Sequence, residues 1–146
     1  MLFGGSRSGK TFLIIWAIVL RALSAPMSRH AVLRFRFNHC KASVIYDTFP
    51  KVMELCYPDR EYKLDKTDWF AQFSNGSQIW FGGLDDKERS EKILGQEHAT
   101  IFLNECSQIP LSSRNLAVTR LAQQCDVVLG EDRKPLRLKM YYDCNL

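Results

Sequence analysis

Gly4-Gly5-Ser6-Arg7-Ser8-Gly9-Lys10-Thr11 is the stretch on which the reading of this chain turns. It fits G-x-x-x-x-G-K-[ST] at every position, and Phe12-Leu13-Ile14-Ile15 follows at once. Glycines let a backbone wrap so that consecutive N–H groups point inward at a phosphate. A helix beginning near Lys10 adds its positive dipole end at the same spot. Lys10 offers a point charge to the β- and γ-phosphates of ATP, and Thr11 a hydroxyl to Mg²⁺. Gly4, Gly5, Ser6, Arg7, Ser8, Gly9, Lys10 and Thr11 are therefore the candidate phosphate-binding residues. Arg7, inside the loop, is a candidate catalytic cation for the γ-phosphate, the alternative being an arginine that faces solvent or a neighbouring carboxylate.

Outward from the loop, Met1-Leu2-Phe3 is the tail of a strand, and residues 10–24 read as a helix apolar nearly all round, hence buried. Residues 31–37 read as a strand with Leu33, Phe35 and Phe37 on one face and Arg34 and Arg36 on the other. A second helix is predicted from Lys41 towards Cys56, kinked or restarted at Pro50. Residues 69–73 and 78–81 flank Asn75-Gly76, the signature of a type I′ hairpin turn. Residues 85–92 are charged and read as a short helix or lid segment. Residues 100–103 form a short apolar strand, 114–124 a helix with Leu116, Ala117 and Leu121 inward, and 136–142 a last strand. Strands alternating with helices predict an α/β fold with a mostly parallel sheet, flanking helices and one β-hairpin.

The 146 residues, 46% hydrophobic, suit one domain with a substantial core and exclude a largely disordered chain. The longest apolar run is too short to cross a bilayer, so no membrane partner is expected. Net charge is +4, unevenly spread. The segment 1–46 has no Asp or Glu, and Arg7, Lys10, Arg21, Arg29, Arg34, Arg36 and Lys41 give it +7. The rest of the chain sums to −3. That basic third suits a polyanion, and Arg34 and Arg36 are its expected contacts with nucleic acid. The five cysteines make no Cys-x-x-Cys pair and no zinc spacing with the three histidines, and they read as buried free thiols.

The strand Thr100-Ile101-Phe102-Leu103 ends in Asn104-Glu105. Beside a phosphate loop, such strand ends hold the Mg²⁺ shell and position the attacking water. Glu105 is the candidate general base. Asn104 stands where an aspartate is usual; it can accept a hydrogen bond from a Mg²⁺-bound water but brings no negative charge. The expected metal-site residues are Thr11 and Asn104.

Together these residues resemble the large terminase subunit of tailed phages. The resemblance rests on Gly4 to Thr11, Arg36-Phe37-Asn38-His39-Cys40-Lys41, Ser74-Asn75-Gly76-Ser77 followed by Gly82-Gly83-Leu84-Asp85-Asp86, Phe102-Leu103-Asn104-Glu105-Cys106-Ser107-Gln108, and Tyr142-Asp143-Cys144-Asn145. It implies a P-loop NTPase of the additional-strand, catalytic-glutamate (RecA-like) type, residues 1–146 forming a single ATPase domain incomplete at both ends. It implies that ATP hydrolysis drives double-stranded DNA into a procapsid. Portal protein and small terminase subunit are the implied partners, in a homo-oligomeric ring in the host cytoplasm, transiently at the procapsid portal. Asp143, Cys144 and Asn145 match the family's coupling motif, with Leu146 where proline is usual. An RNase H-like nuclease domain, also implied by the family, is expected to be absent here. Where some members place an arginine that acts on the neighbouring subunit's ATP, Leu94 precedes Gly95; Arg89 and Lys92 are the nearby cations that could take that part.

Two other readings compete. A truncated nucleotide-binding remnant without turnover would fit Asn104 and the missing segments, and weak or absent hydrolysis is expected of the isolated fragment. A small-molecule kinase would need a substrate lid and a different acidic arrangement, against which the Asn75-Gly76 hairpin and Glu105 speak.

Overall fold

A computed structural model of the chain describes residues 2–3 and 9–144. The expectations for residues 4–8, Arg7 included, and for Asn145 lie outside the described residues. The elements are β1 (Leu2–Phe3), α1 (Lys10–Ser24), β2 (Arg29–Arg34), α2 (Phe37–Cys40), a π-helical stretch (Lys41–Thr48) and α3 (Phe49–Cys56). Then come β3 (Tyr62–Asp65), β4 (Phe70–Phe73), β5 (Gln78–Gly83), α4 (Lys87–Leu94), β6 (Thr100–Leu103), a 3₁₀ turn (Cys106–Gln108) and α5 (Leu111–Thr119). The hairpin β7 (Asp126–Leu129) and β8 (Asp132–Pro135) precedes β9 (Lys139–Cys144).

Among the described residues seven strands form one sheet, in the order β1-β9-β6-β2-β5-β4-β3. The first five are parallel to one another, and β4 and β3 are added antiparallel as an edge meander. A parallel sheet must be covered on both faces, so its central strands cannot alternate polar and apolar. Accordingly residues 30–33 and 100–103 are buried at every position. Val32, Phe81 and Phe102 pack into one layer with α1, α2 and α3, and Leu33, Trp80, Ile101 and Leu103 into the other with α4 and α5. The α/β expectation, with a mostly parallel sheet, flanking helices and a β-hairpin, is what the molecule shows.

Local differences have local causes. The strand expected at 31–37 is Arg29–Arg34, because Leu84 donates its N–H to the Arg34 and Phe35 carbonyls and the chain turns into α2. The second helix begins earlier than expected, at Phe37, is π-helical over Lys41–Thr48 and turns α-helical again at Phe49, so Pro50 stands where the α-helix restarts. The π-helical turns ahead of it shift the register so that Pro50 falls in the first turn of α3, where a missing N–H is tolerated. The 74–77 turn is not type I′: Gly76 alone has positive φ (83°), and Phe73 N–H donates to the Ser77 carbonyl. This is a longer loop closed at a left-handed glycine. Asn75 instead donates to the carbonyls of Ala22 (2.9 Å) and Leu23 (3.3 Å) at the end of α1. Helix α1 is not buried all round, since Leu13, Trp16 and Leu20 are exposed. Leu116 likewise points outward; α5 runs Leu111–Thr119, and Ala117 is its buried residue.

A buried polar chain crosses the sheet. Arg21 Nε donates to Thr100 Oγ1 (2.8 Å), which meets His30 Nδ1 (2.6 Å), whose Nε2 meets Ser28 Oγ (2.7 Å). Burial, then the Arg21 charge, hold His30 down to about 3. Burial chiefly holds His98 down to about 4. Both imidazoles are neutral in the fold and gain protons only on unfolding, so their stabilisation is present above about pH 6.5 and is lost as pH falls towards the folded values. Between pH 7 and pH 5.5 the unfolding free energy should drop by about 2.5 kcal/mol from the two together. Urea melts at the two pH values measure this; a flat profile in His30→Asn/His98→Asn alongside the sloping wild type assigns the slope to them.

Candidate functional site

The parallel strands β2, β6 and β9 end on the same edge of the sheet, and α1 begins there. The carboxyl edge of such a sheet is where α/β proteins place ligands. Gly9 caps α1 with φ 81°, a conformation open to glycine, and Lys10 and Thr11 form the helix's first turn. The register Leu103↔Tyr142 between β6 and β9 sets the residues that follow each strand side by side.

Asp143 is the hub of this edge. It is fully buried and accepts from Thr11 Oγ1 at 2.9 Å, linking the loop's threonine to β9. Asn104 Nδ2 donates to both its oxygens at 2.9 Å, and the Glu105 N–H donates to Oδ1 at 2.7 Å. Lys10 is buried, with Nζ donating to the Cys144 carbonyl at 2.5 Å. Glu105 is half-buried and left-handed (φ 54°, ψ 53°). Such strain in a non-glycine residue persists only where its surroundings enforce it, and it collects at functional sites. The Asp143 hydrogen bond to the Glu105 N–H is part of that enforcement.

Thus Lys10, Thr11, Asn104, Glu105, Asp143 and Cys144, separate in sequence, meet at one edge. Arg34 joins them, which sequence reasoning missed. Expected on the surface as a nucleic-acid contact, it is only partly exposed, and its Nη1 donates to Ser43 Oγ (2.9 Å) and Asn104 Oδ1 (3.4 Å). Its position as the last residue of β2 was the available signal. Arg36 is exposed, as expected. Of the two cations near α4, Lys92 pairs with Asp68, and the Arg89 guanidinium lies over the Phe37 ring at 4.1 Å. Burial and the Cys144 thiol push Cys106 up to about 11, so the thiol next to Glu105 is neutral at physiological pH.

The oxygen donors here, the Thr11 hydroxyl, the Asp143 carboxylate and the Asn104 amide, suit a hard cation such as Mg²⁺. Among the described residues no group of three or more His, Cys, Asp or Glu side chains is placed to hold a metal. The protein side of a magnesium–nucleotide site, with phosphates supplying further oxygens, fits this sparse set.

A family model described as phage terminase large subunit matches residues 1–135. No curated protein matches the chain. Among solved structures, the large terminase of a thermophilic bacteriophage superposes with a TM-score of 0.75 at 18% identity, over 97% of this chain and 32% of that one. The same protein in complex with ATP-gamma-S gives 0.68 at 19% identity, over 97% and 31%. The large terminase ATPase domain of a Thermus phage gives 0.58 at 14% identity, over 96% and 56%. These likenesses show the fold, and the chain spans about a third of the first of these proteins.

Proposed function

We propose, from the premise that this chain belongs to the phage terminase large subunit family, that residues 1–146 form a single ATPase domain serving a DNA-packaging motor. The observation that carries this reading is the meeting of Lys10 and Thr11 with Asn104, Glu105 and Asp143 at the carboxyl edge of the sheet. Gly4 to Thr11 would cradle the ATP phosphates, with Lys10 as their point charge. Glu105 would take the proton of the attacking water, and Arg7 would stabilise charge on the γ-phosphate. Magnesium, when bound, would neutralise phosphate charge, with Thr11 among its protein contacts. Asp143, Cys144 and Asn145 would relay the state of the site as the coupling motif.

The partners that follow from this reading are double-stranded DNA, a portal protein and a small terminase subunit. The place of action is the host cytoplasm, at the procapsid portal, with the large subunit in a ring. No described helix is long and apolar enough to cross a membrane. The exposed basic residues of the first third, Arg36 foremost, are the proposed phosphate-backbone contacts, salt-dependent and blind to sequence.

The loop is tested by Lys10→Ala. Removing a charge-assisted contact worth roughly 1.5–3 kcal/mol should weaken ATP-gamma-S binding by about ten- to a hundredfold. Calorimetry on wild type and variant measures this, and equal affinities would overturn the reading.

A further inference from the structure

We infer that Asp143 is the carboxylate of the magnesium site and that Asn104 is its positioning residue, Asp143 supplying from β9 the charge that the end of β6 lacks. The inference rests on the nucleotide-site reading above and adds a residue role to it.

Asn104 lacks the charge expected of its position, but the charge is not missing from the site. It stands on the adjacent strand. Asp143 is the side chain bonded to Thr11 Oγ1, at 2.9 Å, and Thr11 is the loop residue whose hydroxyl serves the metal. The metal's threonine and a carboxylate are thus already neighbours. Asn104 is turned so that its Nδ2 faces both Asp143 oxygens, while its Oδ1 faces Arg34 at 3.4 Å. An amide donating to a carboxylate and accepting from a guanidinium orients its neighbours; the negative charge itself is on Asp143. The carboxylate is fully buried, and it accepts from a hydroxyl, an amide and a backbone N–H, which together fix its direction beside the loop's threonine.

The arrangement has a specific consequence. Asn104→Asp is not a repair, because it removes the amide that donates to both Asp143 oxygens and puts an acceptor in its place. Moving the carboxylate back requires both changes, Asn104→Asp with Asp143→Asn.

The readout is the magnesium gain, the ratio of ATP-gamma-S dissociation constants measured by calorimetry in EDTA and in magnesium. Asp143→Asn should cut this gain about tenfold or more. Asn104→Asp should lower the gain, and the double exchange should recover most of it. A folded Asp143→Asn protein with the wild-type gain overturns the inference, as does an Asn104→Asp protein whose gain rises. Should Asp143→Asn fail to fold, as read by circular dichroism, the double exchange decides: a folded exchange protein without a magnesium gain overturns it. Wild-type protein that binds nucleotide equally well with and without magnesium refutes the role of Asp143 and leaves the phosphate loop standing. Wild-type protein that binds no nucleotide in either buffer refutes the underlying site and this inference with it.

Discussion

Glu105→Gln is expected to lower ATP turnover by roughly 10²–10⁴ while ATP-gamma-S still binds. The substitution keeps the side chain's length and shape and removes its basicity. The backbone argument makes the effect specific to this position. Glu105 is left-handed and its N–H is bonded to Asp143 Oδ1, so its Cα is fixed relative to Thr11 through one carboxylate. A general base needs that fixed relation, since proton transfer requires hydrogen-bond reach to the attacking water. In the proposed reading binding is carried by Lys10 and the phosphate loop, whose residues the substitution leaves unchanged. Single-turnover phosphate release, beside calorimetric binding, separates the two. Turnover equal to wild type, in protein with measurable activity, would place the base on another residue.

Phe102→Ala is expected to destabilise the fold by about 3–5 kcal/mol. Phe102 is fully buried on a central strand, with β2 on one side and β9 on the other. Its ring fills the layer beneath α1, while its neighbours Ile101 and Leu103 fill the opposite layer. The cavity left by the ring is walled by sheet backbone that cannot easily collapse into it, which favours the upper part of the range. Urea denaturation measures the loss. A change below about 1 kcal/mol would mean that this layer repacks far more freely than its burial implies.

How much of this was legible in the sequence depended on whether a signal was local. Helix α1 and strand β6 lie where the motifs put them, because a phosphate loop needs a helix after it and the acidic pair needs a strand before it. The end of β2 was misread, since it is set by a neighbour, the Leu84 N–H, and the π-helical stretch that precedes Pro50 left no signal in the sequence. The hairpin of β7 and β8 escaped notice because Asp132 to Pro135 is exposed at every position and carries no alternation. Within the site, Lys10, Thr11, Asn104 and Glu105 could be named from spacing alone. The contact between Asn104 and Asp143 joins residues 39 positions apart, and only strand pairing reveals it. The inward turn of Arg34 was hidden for the same reason, since a basic residue at a strand end reads equally well as surface.

The place of β9 in the sheet carries a further consequence, for the order in which the molecule assembles. Among the described residues the last strand, β9, lies between β1 and β6, and β1 pairs with β9 alone. Strands β2 to β6 can find one another within residues 29–103, but β1 docks only on β9, a closure that joins Leu2 to Asp143. Contacts so distant in sequence form slowly, because the entropy of loop closure is lost before any contact repays it. The hydrophobic layers can therefore gather early, whereas Thr11 meets Asp143 only in the final step. A nascent chain would hold much of its core before it could hold a nucleotide.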